Sequence, residues 1–155
     1  MVKLQTKILV KGDISPFEQE ALYNYCSNIF TLLNWDNEQL DYNDEHVTDI
    51  SFFINSDFSS EFFENINEKN WNELLSLLKD IRKRRGSHSV HVHLIFNGSN
   101  SNINIHCTSS DKECFNQSLD TIKFILIGTA LVSNNNSIQE QHYVFDKKKM
   151  LWVSH

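Results

Sequence analysis

The chain has 155 residues, of which 40% are hydrophobic and 12% aromatic, and a formal net charge of −6. This composition excludes a disordered chain, and the length is that of one domain that buries about two-thirds of its unfolded surface. The common nucleotide-binding, zinc-protease and esterase motifs do not occur, so those activities lack their usual support. We therefore expect one globular domain over residues 1–155.

The N-terminal third predicts a strand, a helix and an exposed acidic segment. Residues 2–10 alternate between apolar and polar side chains, which is the period of a half-buried strand. Ser15, Pro16 and Glu18 occupy the N-cap, first-turn and capping-box positions of a helix, which we expect to run to about Asn34. Residues 35–46 are polar and lack a hydrophobic period, which predicts a loop or a short helical turn.

The middle of the chain predicts a second strand and a long amphipathic helix. The strand covers residues 47–55, and a short helix or irregular segment with phenylalanines at 58, 62 and 63 follows. The helix covers residues 68–85 and ends before Gly86. Arginine and lysine occupy positions 82–85, where cations favour a helix C-terminus, so we expect a solvated basic terminus there.

The C-terminal half predicts two hairpins separated by a helix. Strands at 89–97 and 102–108 flank a turn, and Ser110 begins a second capping-box pattern for a helix that ends near Gly128. A final hairpin pairs residues 139–145 with 150–153. The predicted order is β-α-β-α-β-β-α-β-β, which favours an α+β fold with a mainly antiparallel sheet and helices packed mostly on one face.

Three histidines are predicted to meet on one face of the first of these hairpins. If Val92 and its alternate neighbours face the core, His93 lies opposite His106, and His91 shares the same outer face. Imidazoles at this spacing can share a metal ion. The sequence shows no companion carboxylate or pocket for them, and histidines also serve as ordinary polar fillers of an outer sheet face. We expect no metal and no cofactor, with this three-histidine site as the alternative.

The remaining sequence features are typical of a cytoplasmic protein. Three lysines interrupt residues 1–13, so neither a signal peptide nor a membrane span is expected there. Three cysteines without CxxC spacing predict buried free thiols: Cys26, Cys107 and Cys114. Cys107 is adjacent to His106 on a strand, so the two side chains point to opposite faces and do not form a nucleophilic pair.

The charge distribution is the main functional clue. Residues 12–68 contain thirteen carboxylates and no lysine or arginine. These carboxylates lack local salt-bridge partners, so their mutual repulsion predicts an external basic partner rather than a structural use. The competing explanation is an ordinary solubilising surface. The predicted partner-binding residues are Trp35, Asp36, Glu38, Asp41, Tyr42, Asp44, Glu45, Asp49, Asp57, Glu61 and Glu64, in which the aromatic side chains would act as anchors.

In size, acidity and lack of catalytic motifs the chain resembles immunity proteins as a functional group. That resemblance implies a protein that is not an enzyme and that neutralises a nuclease toxin, because carboxylates can occupy the positions of substrate phosphates. The alternatives are a phage-type DNA mimic that inhibits a nuclease, and a metal-dependent enzyme using His91, His93 and His106. Neither a membrane nor direct nucleic-acid binding is expected, because the basic cluster at 82–85 lacks interleaved aromatic residues.

Overall fold

One mixed sheet runs through the described part of the chain. The computed structural model describes residues 4–38, 47–99, 102–109, 111–126 and 140–154. Within these ranges seven strands have the order β2-β1-β3-β4-β5-β6-β7. The elements in chain order are β1 (Leu4–Gly12), α1 (Pro16–Ile29), β2 (Phe30–Glu38), β3 (Val47–Ile54), α2 (Ser60–Asn65), α3 (Glu68–Arg84), β4 (Ser89–Asn97), β5 (Asn102–Ser109), α4 (Lys112–Asp120), a 3-10 turn (Ile122–Phe124), β6 (Glu140–Asp146) and β7 (Leu151–Ser154).

Parallel and antiparallel pairs alternate across this sheet. The β1–β2, β3–β4 and β5–β6 pairs are parallel, and the β1–β3, β4–β5 and β6–β7 pairs are antiparallel. Each parallel pair is connected through helical structure, because parallel neighbours require a crossover. The fold is α+β, as predicted, but the sheet is mixed, so the prediction of a mainly antiparallel sheet is matched only in part.

Strand β2 is absent from the predicted order. Helix α1 ends at Ile29, and the chain continues as a strand that pairs with β1 from Phe30 to Glu38. The apolar residues after Ile29 fit a helix or a strand equally well by period, and pairing with β1 selects the strand. The predicted loop at 35–46 is therefore a strand as far as Glu38, and residues 39–46 lie outside the described ranges.

The hydrophobic core lies between one face of the sheet and a layer of helices. Helix α3 contacts α1 on one side and α4 on the other. Alternate strand residues face this layer, as the period-two pattern predicts. The fully buried members of the core include Ile8, Val10, Leu22, Ile50, Phe52, Phe62, Leu74, Leu78, Val92, Leu94, Ile105 and Phe115.

Side-chain N-caps mark the starts of the helices, and the cap of α4 differs from the predicted one. The predicted capping box of α1 is confirmed, because the Glu18 amide donates to Ser15 Oγ at 3.1 Å and the Ser15 amide donates to Glu18 Oε1 at 3.0 Å. The box expected at Ser110 is wrong, because Asp111 caps α4 by accepting from the Cys114 amide at 2.9 Å. None of the helices in the described ranges is long and apolar enough to cross a membrane.

Candidate functional site

A row of polar side chains lies on the sheet face opposite the core. Because Val92 and its alternate neighbours on β4 are buried, His91 and His93 project to the other face. The predicted hairpin register is confirmed, with His93 paired to His106 and His91 paired to Thr108. The parallel β3–β4 register adds Asp49 directly beside His91.

His93 joins the two halves of this row through its two ring nitrogens. Its Nε2 lies 3.2 Å from Asp49 Oδ2, and its Nδ1 lies 2.7 Å from Nδ1 of His106. His91 Nδ1 lies 3.8 Å from the same Asp49 oxygen. One donor atom from each of Asp49, His91 and His93 lies within 4.8 Å of the others, and this group has the geometry to hold a metal ion. His106 contacts the opposite nitrogen of His93.

The row continues from β5 onto β6. His106 Nε2 lies 3.1 Å from His142 Nδ1, and the two rings stack with centroids 5.4 Å apart and an interplanar angle of 5°. His142 Nε2 lies 3.4 Å from Glu140 Oε1, which also accepts a hydrogen bond from Asn104 Nδ2 at 2.9 Å. A continuous chain of polar contacts therefore connects Asp49 to Glu140, and we call it the histidine chain.

Burial and neighbouring charges set the protonation states in this row. Burial lowers the pKa of His91 despite the opposing charge of Asp49. Burial lowers the pKa of His106 as well, and the charges of His93 and His142 act in the same direction. Burial alone would raise the pKa of Asp49, but the hydrogen bond from His93 and the charges of His93 and His91 hold it below its usual value. A lowered pKa of the Asp49 carboxyl and a lowered pKa of the His91 imidazole both favour the deprotonated forms, which are the forms that bind metals.

The sequence placed only part of this row. Asp49 was predicted to bind a partner and not to accompany the histidines, and His142 was not singled out. The alternation of β3 does indicate that Asp49 faces away from Ile50 and the core. Its place beside His91 depends on a parallel pairing between strands far apart in the chain, which residue patterns do not reveal.

The predicted partner-binding residues divide between two ends of the sheet. Asp49 lies near the start of β3, whereas Asp57, Glu61 and Glu64 follow its end. Eight extended residues span about 23 Å, so these residues do not form one continuous patch. Trp35, Asp36 and Glu38 lie on β2, in backbone register with β1. Asp41, Tyr42, Asp44 and Glu45 lie outside the described residues.

The end of the sheet beyond β3 carries an acidic groove. Its volume is about 370 Å³, and its lining includes Asp57, Glu61, Asn65 and Asn97. Neither lysine nor arginine is among its described lining residues. The β4–β5 turn approaches Asp57 so closely that an ideal Cβ added to Gly98 would lie 1.7 Å from Asp57 Oδ1. We call this feature the β3-end groove.

Asp13 and Glu18 contact arginines inside the fold, contrary to the sequence-based prediction for residues 12–68, which contain no lysine or arginine and which we call the cation-free segment. Glu18 is 2% exposed, and its Oε2 lies 3.0 Å from Arg84, while Oε1 accepts from Arg85. Arg85 Nε also lies 3.5 Å from Asp13 Oδ2. The partners come from the end of α3, more than sixty residues away. The repulsion expected of Asp13 and Glu18 is therefore relieved inside the fold.

The basic cluster at 82–85 is also more structural than predicted. Arg82 is 1% exposed and donates to the carbonyl oxygens of Gly86 and His88. Together with the Glu18 contacts of its neighbours, this shows that the end of α3 is anchored to the rest of the fold. The expectation of a solvated basic terminus is wrong for Arg82 and Arg85.

The three cysteines are buried free thiols, as predicted. Burial raises the pKa of the Cys26 thiol, and it raises that of Cys107 to about 12, so neither is an activated thiolate. Cys107 is fully buried, whereas His106 faces the opposite side of the sheet and contacts His93. This arrangement excludes a hydrogen-bonded pair of Cys107 and His106.

No protein-family model, curated protein or solved structure matches this chain. The chemistry of the site therefore rests on the residues described above, which offer an acidic surface and a histidine chain on the sheet.

Proposed function

We propose that this protein is a small cytoplasmic, non-catalytic binding protein that blocks a basic partner, foremost a nuclease toxin, in the manner of an immunity protein. The observation that carries the proposal is the β3-end groove, where Asp57 and Glu61 line a cleft without a described basic side chain. A nuclease must present a cationic surface to phosphate, and carboxylates can occupy the same positions.

The internal ion pairs narrow the proposed interface. Asp13 and Glu18 contact arginines, and Asp49 contacts His93, so these carboxylates are occupied within the fold. We place the proposed interface at the β3-end groove with the adjacent Glu64. The second candidate is the sequence-predicted set Asp41, Tyr42, Asp44 and Glu45, which lies outside the described residues.

Exposed apolar side chains in the cation-free segment support a binding role. Phe17 and Tyr23 on α1 are 73% and 49% exposed, and Leu33 on β2 is 56% exposed. Aromatic side chains beside charged ones are typical anchors of protein interfaces. We propose that they supply apolar contacts to the partner in addition to the carboxylates; they lie on α1 and β2, outside the lining of the β3-end groove.

The test is an affinity capture from a lysate of the native organism at low and high salt, followed by a nuclease assay with each purified captured protein. The bait is compared with two triple variants, Asp57→Asn/Glu61→Lys/Glu64→Lys and Asp41→Lys/Asp44→Lys/Glu45→Lys; the first uses the isosteric asparagine at position 57 because that side chain packs closely against Gly98. A matched control reverses Glu73, Asp80 and Glu113, which lie outside the cation-free segment.

We expect a basic nuclease to be retained at low salt, released at high salt and inhibited stoichiometrically by the wild-type protein and the matched control. At least one of the two test variants loses both retention and inhibition while keeping its thermal stability. If both variants capture and inhibit as the wild type does, or if the retained proteins have no nuclease activity that the bait inhibits, the proposal is wrong.

A further inference from the structure

We propose that Asp49, His91 and His93 form a binding site for a divalent transition-metal ion such as Zn²⁺ on the outer face of the sheet. The ligand atoms are Asp49 Oδ2, His91 Nδ1 and His93 Nε2. This inference is independent of the proposed binding of a basic partner, because it uses other residues and another chemistry. Two imidazoles and one carboxylate suit zinc and other first-row divalent ions.

The separations between these atoms match those of ligands around one ion. Ligand distances of about 2.0–2.1 Å place two tetrahedral ligands about 3.3 Å apart. The carboxylate oxygen lies 3.2 Å from His93 Nε2 and 3.8 Å from His91 Nδ1, which bracket that value. The side chains are 19–35% exposed, so an ion can reach them from solvent. Three protein ligands leave a further coordination position for water or another ligand.

The site differs from the three-histidine alternative considered from the sequence. His106 contacts Nδ1 of His93, whereas the proposed ion is bound by Nε2 of the same ring. The two nitrogens of one imidazole point in divergent directions, so His106 does not share this ion. Its position is instead that of an outer partner, which fixes the tautomer and orientation of a metal-binding histidine.

A metal ion at the Asp49 end is compatible with the hydrogen bonds of the histidine chain. The chain has four contacts, namely Asp49 with His93, His93 with His106, His106 with His142, and His142 with Glu140. Each contact needs one N–H hydrogen, but three neutral imidazoles supply only three. With three neutral rings one of the four contacts therefore lacks its own hydrogen, and at the Glu140 end Asn104 Nδ2, which lies 3.4 Å from His142 Nε2, is a further donor. A metal ion between Asp49 and His93 takes the place of the missing hydrogen.

Metal binding then sets the direction in which the rings of the histidine chain donate their hydrogen bonds. Without metal, the contact between His93 Nε2 and Asp49 at 3.2 Å is shorter than the contact between His142 Nε2 and Glu140 at 3.4 Å, which favours an N–H on His93 Nε2. His106 then donates from Nδ1 to His93, and His142 donates from Nδ1 to His106. With metal on His93 Nε2, the His93 ring donates from Nδ1 to His106. His106 then donates from Nε2 to His142, and His142 donates from Nε2 to Glu140. Every contact is then satisfied with neutral rings, and Glu140 is the terminal acceptor.

The first experiment is calorimetric titration of the chelator-treated, untagged protein with ZnCl₂, with Co²⁺ absorption spectra as a second probe. We expect one ion per chain and a loss of more than about 100-fold in affinity in Asp49→Asn and in His93→Gln, because each removes a ligand rather than an outer partner. His106→Phe, which leaves all three ligands intact but removes the direct outer partner of His93, is expected to lose about 10-fold or more in affinity. His88→Gln is the matched control, because it removes a histidine that is not in the donor group, and its affinity is expected to equal that of the wild type.

Circular dichroism and thermal melting identify any variant that fails to fold. If His93→Gln does not fold, the isosteric Asp49→Asn variant still tests the site. Absence of Zn²⁺ and Co²⁺ binding by the wild type overturns the proposal. Undiminished binding by folded Asp49→Asn also overturns it, because the ion would then be held by other residues.

The second experiment reads the direction of the histidine chain by long-range ¹H–¹⁵N correlation at pH 8, above the usual imidazole pKa of about 6.5. We expect the N–H of His106 and of His142 to move from Nδ1 to Nε2 when one equivalent of Zn²⁺ is added. A merely structural role of these rings would not produce this exchange. If Zn²⁺ binds and both rings keep their tautomers, the proposed role of the chain is wrong.

Discussion

Substitution of Glu18 tests whether ion pairs with the end of α3 stabilise the acidic segment in the fold. Glu18 caps α1 through the Ser15 amide and contacts both Arg84 and Arg85 at the end of α3. Replacement by glutamine preserves the capping interaction, because glutamine also serves in a capping box, but removes the charge. Glu18→Gln therefore isolates the ion pairs.

The expected loss follows from the exposure of the partners. Removing one member of a buried pair costs about 3–5 kcal/mol, because the other charge is left without a partner. Arg84 is 45% exposed and can be solvated, and Arg85 retains Asp13 at 3.5 Å. We therefore expect a loss of about 2–3 kcal/mol at pH 7. For a domain of this size each kcal/mol lowers Tm by about 2–4 °C.

The assay is urea denaturation of the wild type and Glu18→Gln at equal m-value, repeated from pH 8 to pH 3. Burial alone would raise the Glu18 pKa, but the hydrogen bonds from Arg85, the Ser15 amide and Arg84 hold it below the ordinary value of 4.5. The ionised carboxylate therefore stabilises the fold fully above about pH 4.5, and this stabilisation disappears as the pH falls through the lower, folded-state pKa. The difference between the two proteins should shrink in that acidic range.

Two controls separate the ion pairs from other effects. Ser15→Ala removes the cap acceptor alone and should cost about 1 kcal/mol without this pH dependence. In a double-mutant cycle, Arg85→Met combined with Glu18→Gln should cost less than the sum of the two single changes. If the free energy of unfolding of Glu18→Gln lies within about 0.5 kcal/mol of the wild-type value, the ion pairs contribute no more than an isolated surface pair, and the reasoning is refuted. A difference that stays constant from pH 7 to pH 3 refutes it as well.

Two further predictions concern packing. Gly98→Ala should destabilise the protein by about 1–3 kcal/mol in urea denaturation, because an ideal Cβ at this position lies 1.7 Å from Asp57 Oδ1 and 2.7 Å from Asp57 Cα. A variant as stable as the wild type would contradict this contact. Cys26 and Cys107 should react with iodoacetamide at pH 8 far more slowly in the native protein than in 6 M urea, because both thiols are buried and have raised pKa values. Mass spectrometry of labelled peptides measures the rates, and equal native and denatured rates would show that these thiols are accessible.

Local patterns in the sequence determined most of the secondary structure and one part of the site. The capping box at Ser15 and the alternation of β4 and β5 are properties of neighbouring residues, and the structure confirms both. His93 could be placed opposite His106 because a short turn connects their strands and the buried face leaves one register open.

Tertiary structure alone decided the contacts between distant segments. The edge strand β2, the parallel position of Asp49 beside His91 and the pairing of Glu18 with the end of α3 join residues that no short pattern relates. Each depends on how a crossover helix packs on the sheet, because that packing sets which strands become neighbours and in what register. The acidic composition was therefore readable from the chain, whereas the division of its carboxylates among ion pairs, the histidine chain and the β3-end groove arose only when the helices packed against the sheet.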